Sequence, residues 1–72
     1  MAREVGDRRV GEIDEGTVSH LLPFGVVVHL DGGGRGLVPE AEWHERPEIG
    51  QRLRVEILAV DVERDRMSLR PV

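Results

Sequence analysis

Residues 23–43 read PFGVVVHLDGGGRGLVPEAEW, and the way this stretch alternates decides the architecture. Successive side chains of an extended chain point to opposite faces, so Val26, Val28 and Leu30 share one side while Val27 and His29 share the other. Three glycines, Gly32 to Gly34, interrupt the pattern before RGLVP resumes it. Glycine takes positive φ without steric cost, so DGGGRG reads as the turn of a hairpin.

Outward from this hairpin the same period of two marks the rest of the chain. Strands are expected at about 11 to 22 (GEIDEGTVSHLL), 24 to 31, 35 to 39, 52 to 61 (RLRVEILAVD) and 66 to 70 (RMSLR), with VERDR turning the fourth into the fifth. No window carries a helical stripe, which makes the chain all-β. Between the third and fourth strands, PEAEWHERPEIG opens with proline and acids as a one-turn helix does, and Pro47 and Gly50 stop it. Expected inward positions are Val18, Val26, Val28, Leu30, Leu37, Val55, Ile57, Val60, Met67 and Leu69. Five short strands with a brief helical turn between the third and fourth fit a small, partly open Greek-key barrel, the OB-fold, better than a sandwich.

Size and composition narrow the function. Seventy-two residues make one domain, expected over 8–72 behind an N-terminal arm over 1–7. A chain this short buries only about 60% of its unfolded surface, so no large active-site cavity fits inside it. The absence of cysteine removes disulfides and thiolate zinc sites. His20, His29 and His44 lack regular ligand spacing, so no metal and no cofactor are expected. There is no signal-like apolar run and no membrane-length one, and the reading is a soluble, cytoplasmic monomer. Ser19 and Ser68 lack a base with its orienting partner, and Glu40 and Glu42 sit in an exposed loop, so an enzyme is not expected.

The net charge of -4 matters less than where it lies. Residues 39–49 hold four glutamates against Arg46, whereas residues 50–72 hold five arginines, at 52, 54, 64, 66 and 70, against four acids. Those arginines are free to cluster.

GTVSHLLPFGVVVHLDGGGRGLVPEAEW followed by GQRLRVEILAVDVERDRMSLR resembles the S1-type RNA-binding domain family, found in ribosomal protein S1 and polynucleotide phosphorylase. Gly16, Val18, Phe24 with Gly25, Val28, Leu30, Gly36 to Val38, Gly50 with Gln51, Val55, Val60 with Asp61, Arg66 and Ser68 with Leu69 fall in the family's order, over about residues 8 to 70. The resemblance implies an OB-fold that binds RNA. It also implies a ligand face made by an aromatic, a second aromatic three residues on, a histidine after GLV, an aspartate ending strand four and an arginine opening strand five. Those positions hold Phe24, Val27, Pro39, Asp61 and Arg66, so three are kept and two are replaced. The connection from Pro39 to Gly50 is shorter than the family's and is acidic.

Each of these residues has its own chemistry. An exposed Phe24 stacks an unpaired base, since every base has a π-face; the competing reading is an ordinary core phenylalanine. Gly25 favours exposure, because a glycine inside a strand marks a bulge or a close backbone approach. Val27 offers apolar area without a π-face. His29, two residues on, either supplies the missing ring or is a solvated strand histidine; His20 is a weaker candidate. Arg66 matches phosphate bidentately, with Arg35, Arg64 and Ser68 as further contacts. Asp61 either orients Arg66, accepts from a base amino group or forms a hairpin ion pair of little energetic value. Trp43 is expected to cover one end of the barrel.

The resulting expectation is a module that binds single-stranded RNA weakly and with little sequence preference across strands two and three. The alternative is a barrel that docks to the ribosome or to RNA-processing proteins through its acidic 39–49 loop. A basic groove beside Phe24 favours the first.

Overall fold

The computed structural model describes residues 5–72; the first four positions of the expected arm lie outside the described residues. A 3-10 turn, Val5–Asp7, leads into β1 (Ile13–Leu22), β2 (Gly25–Leu30) and β3 (Arg35–Pro39). A second 3-10 turn, Glu40–Glu42, stands where the helical turn was expected, followed by β4 (Arg52–Asp61) and β5 (Arg66–Pro71). β1 ends at Leu22 as expected, and β2 starts one residue later than expected, at Gly25, because Pro23 and Phe24 form the turn that joins the two strands.

The strands run β1-β2-β3-β5-β4 around a closed barrel, with β4 antiparallel to β1 from Ile13 opposite Glu56 to Thr17 opposite Arg52. The fold is the expected five-stranded OB barrel, closed where a partly open one was expected. Its thinnest join is the parallel one between β3 and β5, where Leu37 and Ser68 form the one bridged pair.

Nine apolar side chains fill the interior: Val18, Val26, Val28, Leu30, Val38, Val55, Ile57, Met67 and Leu69. Trp43, Leu53 and Val60 pack partly against them. Leu37, expected inside, points outward, and Val38 takes the interior position. Hairpin register explains the correction. Cross-strand partners share a face, and β2 pairs with β3 as Val26 with Val38, Val27 with Leu37 and Val28 with Gly36. Inward Val26 and Val28 therefore require inward Val38 and Gly36. Gly36 has no room for a side chain: a Cβ there would come within 2.7 Å of Leu69 Cγ and 3.0 Å of the Met67 carbonyl oxygen.

The glycine turn holds this register. Gly33 and Gly34 adopt φ of 100° and 85°, which L side chains rarely take. The Leu30 N–H donates to the Gly34 carbonyl at 2.9 Å, and the Gly33 N–H donates back to the Leu30 carbonyl at 3.0 Å. Arg8, which sequence reasoning did not single out, clamps the same turn. It is 4% exposed; its Nη1 donates to the Gly33 carbonyl at 3.1 Å and its Nη2 to Asp14 Oδ2 at 2.8 Å, with Glu12 at 3.3 Å. Asp14 also accepts from the Gly32 and Glu15 backbone N–H groups at 3.0 and 2.7 Å. Partial burial pushes the Asp14 carboxyl up, but the bonds from Arg8, Glu15 and Gly32 outweigh it and hold the carboxyl below its ordinary 3.8. At the far end of the barrel Trp43 covers the core as expected, its indole Nε1 donating to the Val38 carbonyl at 3.2 Å.

Candidate nucleic-acid interface

Outward-facing residues of all five strands meet in a groove of about 550 Å³. Its floor is one row of cross-strand partners. His20 of β1 stands opposite Val27 of β2, Val27 opposite Leu37 of β3, Leu37 opposite Ser68 of β5, and Ser68 opposite Ala59 of β4. All five line the groove. Leu37 was expected in the core and Ala59 was not singled out; the parity of the β2–β3 hairpin is the sequence signal that places Leu37 here.

Phe24, in the turn between β1 and β2, lines the same groove and is 60% exposed, which excludes the core reading. The cause is local. Gly25 is buried so tightly that a Cβ would lie 2.7 Å from the Val38 carbonyl oxygen, so the chain reverses against β3 and leaves the preceding ring outside. The close approach anticipated at Gly25 is therefore present, whereas the bulges lie elsewhere, between Val18 and His20 in β1 and between Ile57 and Ala59 in β4.

The other wall comes from β3 and the β4–β5 hairpin, which bring Arg35, Arg64 and Arg66 together with Asp61 and Asp65. Three guanidinium groups against two carboxylates leave the groove basic in a chain whose net charge is -4. Asp61 stands opposite Arg66 in register, yet its carboxylate serves Arg64: Oδ1 accepts the Arg64 backbone N–H at 3.2 Å and Oδ2 lies 3.8 Å from Arg64 Nε. Among the described residues Arg35 and Arg66 have no ion-pair partner. The expected cluster of C-terminal arginines thus divides. Arg64 and Arg66 line the groove; Arg54 lies outside its lining, and so do Arg52, held by Asp31 at 2.8 Å, and Arg70, held by Glu56 at 2.6 Å.

Two expected contacts lie outside the groove lining. His29 is exposed on β2 between Thr17 and Arg35, one step beyond the row. Pro39 is half-buried opposite Gly25. His20, Arg35, Arg64 and Ser68, the secondary candidates, all line it.

The arrangement suits binding. An exposed ring, an aliphatic floor and unpaired guanidinium groups offer a base a surface to stack on and a phosphate a partner. Ser19 Oγ meets His20 Nδ1 at 2.9 Å, but among the described residues no third group is hydrogen-bonded to the imidazole to complete a nucleophile, base and orienter set. No group of three or more histidine or carboxylate side chains is placed to hold a metal among the described residues.

A closed five-stranded barrel with such a groove across its strands defines an OB-fold protein of the kind that takes unpaired nucleic acid. The S1 RNA-binding domain model matches residues 7–70, and the chain belongs to that family. Small ribosomal subunit protein bS1 of Leuconostoc lactis is 44% identical over 68 residues, covering 83% of this chain and 16% of that protein. The protein of the same name from Staphylococcus saprophyticus is 39% identical over 72 residues, covering 89% and 18%. The chain therefore spans less than a fifth of these relatives' length. Among solved structures, GSP13 from Bacillus subtilis superposes with a TM-score of 0.80 at 32% identity, over 90% of this chain and 56% of that one. A multidomain protein with nucleic acid binding domains from Streptococcus pneumoniae reaches 0.87 at 19% identity over 99% of this chain and 25% of that one, a likeness of fold. No helix among the described residues is long and apolar enough to cross a membrane.

Proposed function

We propose that the groove binds single-stranded RNA with little sequence preference, and that the chain acts in translation or RNA metabolism as a binding module without catalysis of its own. Phe24 stacks a base, Val27 and Leu37 extend the apolar floor beneath the next one, and Arg66 and Arg35 hold phosphates. Asp61 keeps Arg64 in place at the rim, and Ser68 offers a hydroxyl to a base or ribose. The binding unit runs from Arg8, whose buried guanidinium is part of the barrel, to Val72. Similar proteins are named as ribosomal, which makes the ribosome the natural partner, with a cytoplasmic monomer as the working state.

The observation that carries this reading is the Phe24 ring, 60% exposed, at the mouth of a groove with unpaired arginines. Without a second aromatic at Val27, one stacking contact worth about 1–3 kcal/mol is absent, so affinity is low.

An NMR titration with a short oligouridine at low salt tests the reading. Shifts concentrated on residues 20–30, 35–37 and 59–68, and lost in Phe24→Ala, are the expected result. No shifts at millimolar oligouridine, or shifts confined to residues 39–49, would overturn it in favour of protein docking through the acidic loop.

A further inference from the structure

We propose, on the basis of the RNA-binding reading above, that His20 is the second base-stacking ring of the groove, placed there by the β-bulge at Ser19. Strand parity alone sends His20 to the other face. Val18 is 1% exposed and points into the core, and a regular strand would put residue 20 on the same side. The register shift between Val18 and His20 inserts one residue, and His20 emerges outside, opposite Val27 and beside Phe24 in the groove lining. A bulge that re-aims one side chain into a groove is a device for presenting that side chain.

The bulge residue also orients the ring. Ser19 Oγ lies 2.9 Å from His20 Nδ1 and 3.4 Å from the Val27 carbonyl oxygen. A hydroxyl has one hydrogen to give. Both contacts are met together when that hydrogen goes to Val27 and the oxygen accepts from a protonated Nδ1. Nε2 is then the uncommitted nitrogen, an acceptor for a base N–H. Apart from Phe24, His20 is the one ring in the groove lining; His29, on the neighbouring strand, is outside it. Two rings in one groove with the aliphatic Val27 and Leu37 accommodate two unpaired bases, the pattern by which single strands are held irrespective of sequence.

The test is titration of the 72-residue chain with oligouridine at low salt, comparing wild type with His20→Leu, His20→Phe, His29→Ala and Phe24→Ala. His20→Leu is expected to weaken binding about fivefold or more, the equivalent of one stacked base. His20→Phe retains binding, His29→Ala stays within about twofold, and the upfield ring-current shift of a second uracil disappears in the leucine variant alone of the two His20 changes. His20, Phe24 and His29 are all exposed, so the variants are expected to keep unfolding temperatures close to wild type. Wild-type affinity in His20→Leu together with a loss in Phe24→Ala overturns the role of His20 and leaves the RNA reading intact. Equal losses in His20→Leu and His20→Phe overturn stacking in favour of a hydrogen bond from the imidazole. No binding by wild type overturns both readings at once.

Discussion

Leu37 of β3 and Ser68 of β5 face each other across the one parallel join in the barrel, and theirs is the single bridged pair of that join. The same two residues form the middle of the groove floor, so the most sparsely bridged seam of the barrel is also part of the proposed binding surface. Close packing beside the pair takes the place of an extended ladder. Gly36 lets Leu69 approach to where a Cβ would stand only 2.7 Å from its Cγ. Gly36→Ala is therefore expected to cost on the order of 1–3 kcal/mol through overpacking, seen as a lower urea midpoint with unchanged slope. Wild-type stability in this variant would show that the seam is loose.

The clamp between Arg8 and Asp14 predicts how the fold responds to acid. Asp14 is held below its ordinary 3.8 in the folded chain, so its contribution to stability is fully present above that value and drains away as pH falls through the lowered one. Asp14→Asn removes the carboxylate from a guanidinium whose side chain is 1% exposed. A loss of about 2 kcal/mol is expected near neutrality, with the gap to wild type narrowing below about pH 4. Urea titrations at pH 7 and pH 3 check this; a gap that stays constant would remove Asp14 as the origin.

How much of this was legible in the sequence depends on whether the signal was periodic. The inward faces of β2 and β5 follow from strict alternation and stand as read, as do Val55 and Ile57 of β4 before its bulge, the glycine turn and the helical turn before Trp43. The reading slipped where alternation is broken or silent. RGLVP offers Leu37 and Val38 equally to the core, and the choice rests on pairing across the Gly32–Gly34 turn. His20 shares the parity of Val18 and faces outward because of a bulge that no residue type announces. Arg8 carries no local pattern, since its partners are Gly33, 25 positions away, and Asp14. In the groove, Phe24 was readable from Gly25 beside it, which marks a bulge or a close approach, together with the resemblance to the S1 family. The division of the arginines into paired and unpaired was not, because Asp31 and Glu56 reach Arg52 and Arg70 through the fold.

That division predicts the salt response. Each phosphate neutralised on a single strand contributes a slope of about -0.7 to the dependence of log affinity on log salt. Arg66 has no ion-pair partner among the described residues and lines the groove, whereas Arg70 is bound to Glu56. Arg66→Ala is expected to make the slope less steep by about 0.7, and Arg70→Ala to leave it unchanged. Fluorescence anisotropy of a labelled oligouridine between low and moderate salt reads both. Equal slopes for wild type and Arg66→Ala would mean that the phosphates lie elsewhere.

Val27 invites a gain of function. Its side chain is half-buried in the groove floor, between His20 and Leu37, and gives a base aliphatic area but no π-face. The groove around it, about 550 Å³, has room for a larger side chain on the outer wall, so Val27→Phe adds a ring without entering the core. One added stack is worth about 1–3 kcal/mol, and affinity for oligouridine is expected to rise about fivefold or more, with unfolding midpoints close to wild type. Combining it with Phe24→Ala separates placement from hydrophobicity: a ring at 27 that acts on the same strand restores much of the affinity lost at 24. If Val27→Phe binds no tighter than wild type while folding normally, bases do not pass over the β2 position of this row, and the path of the strand across β1, β2 and β3 has to be redrawn.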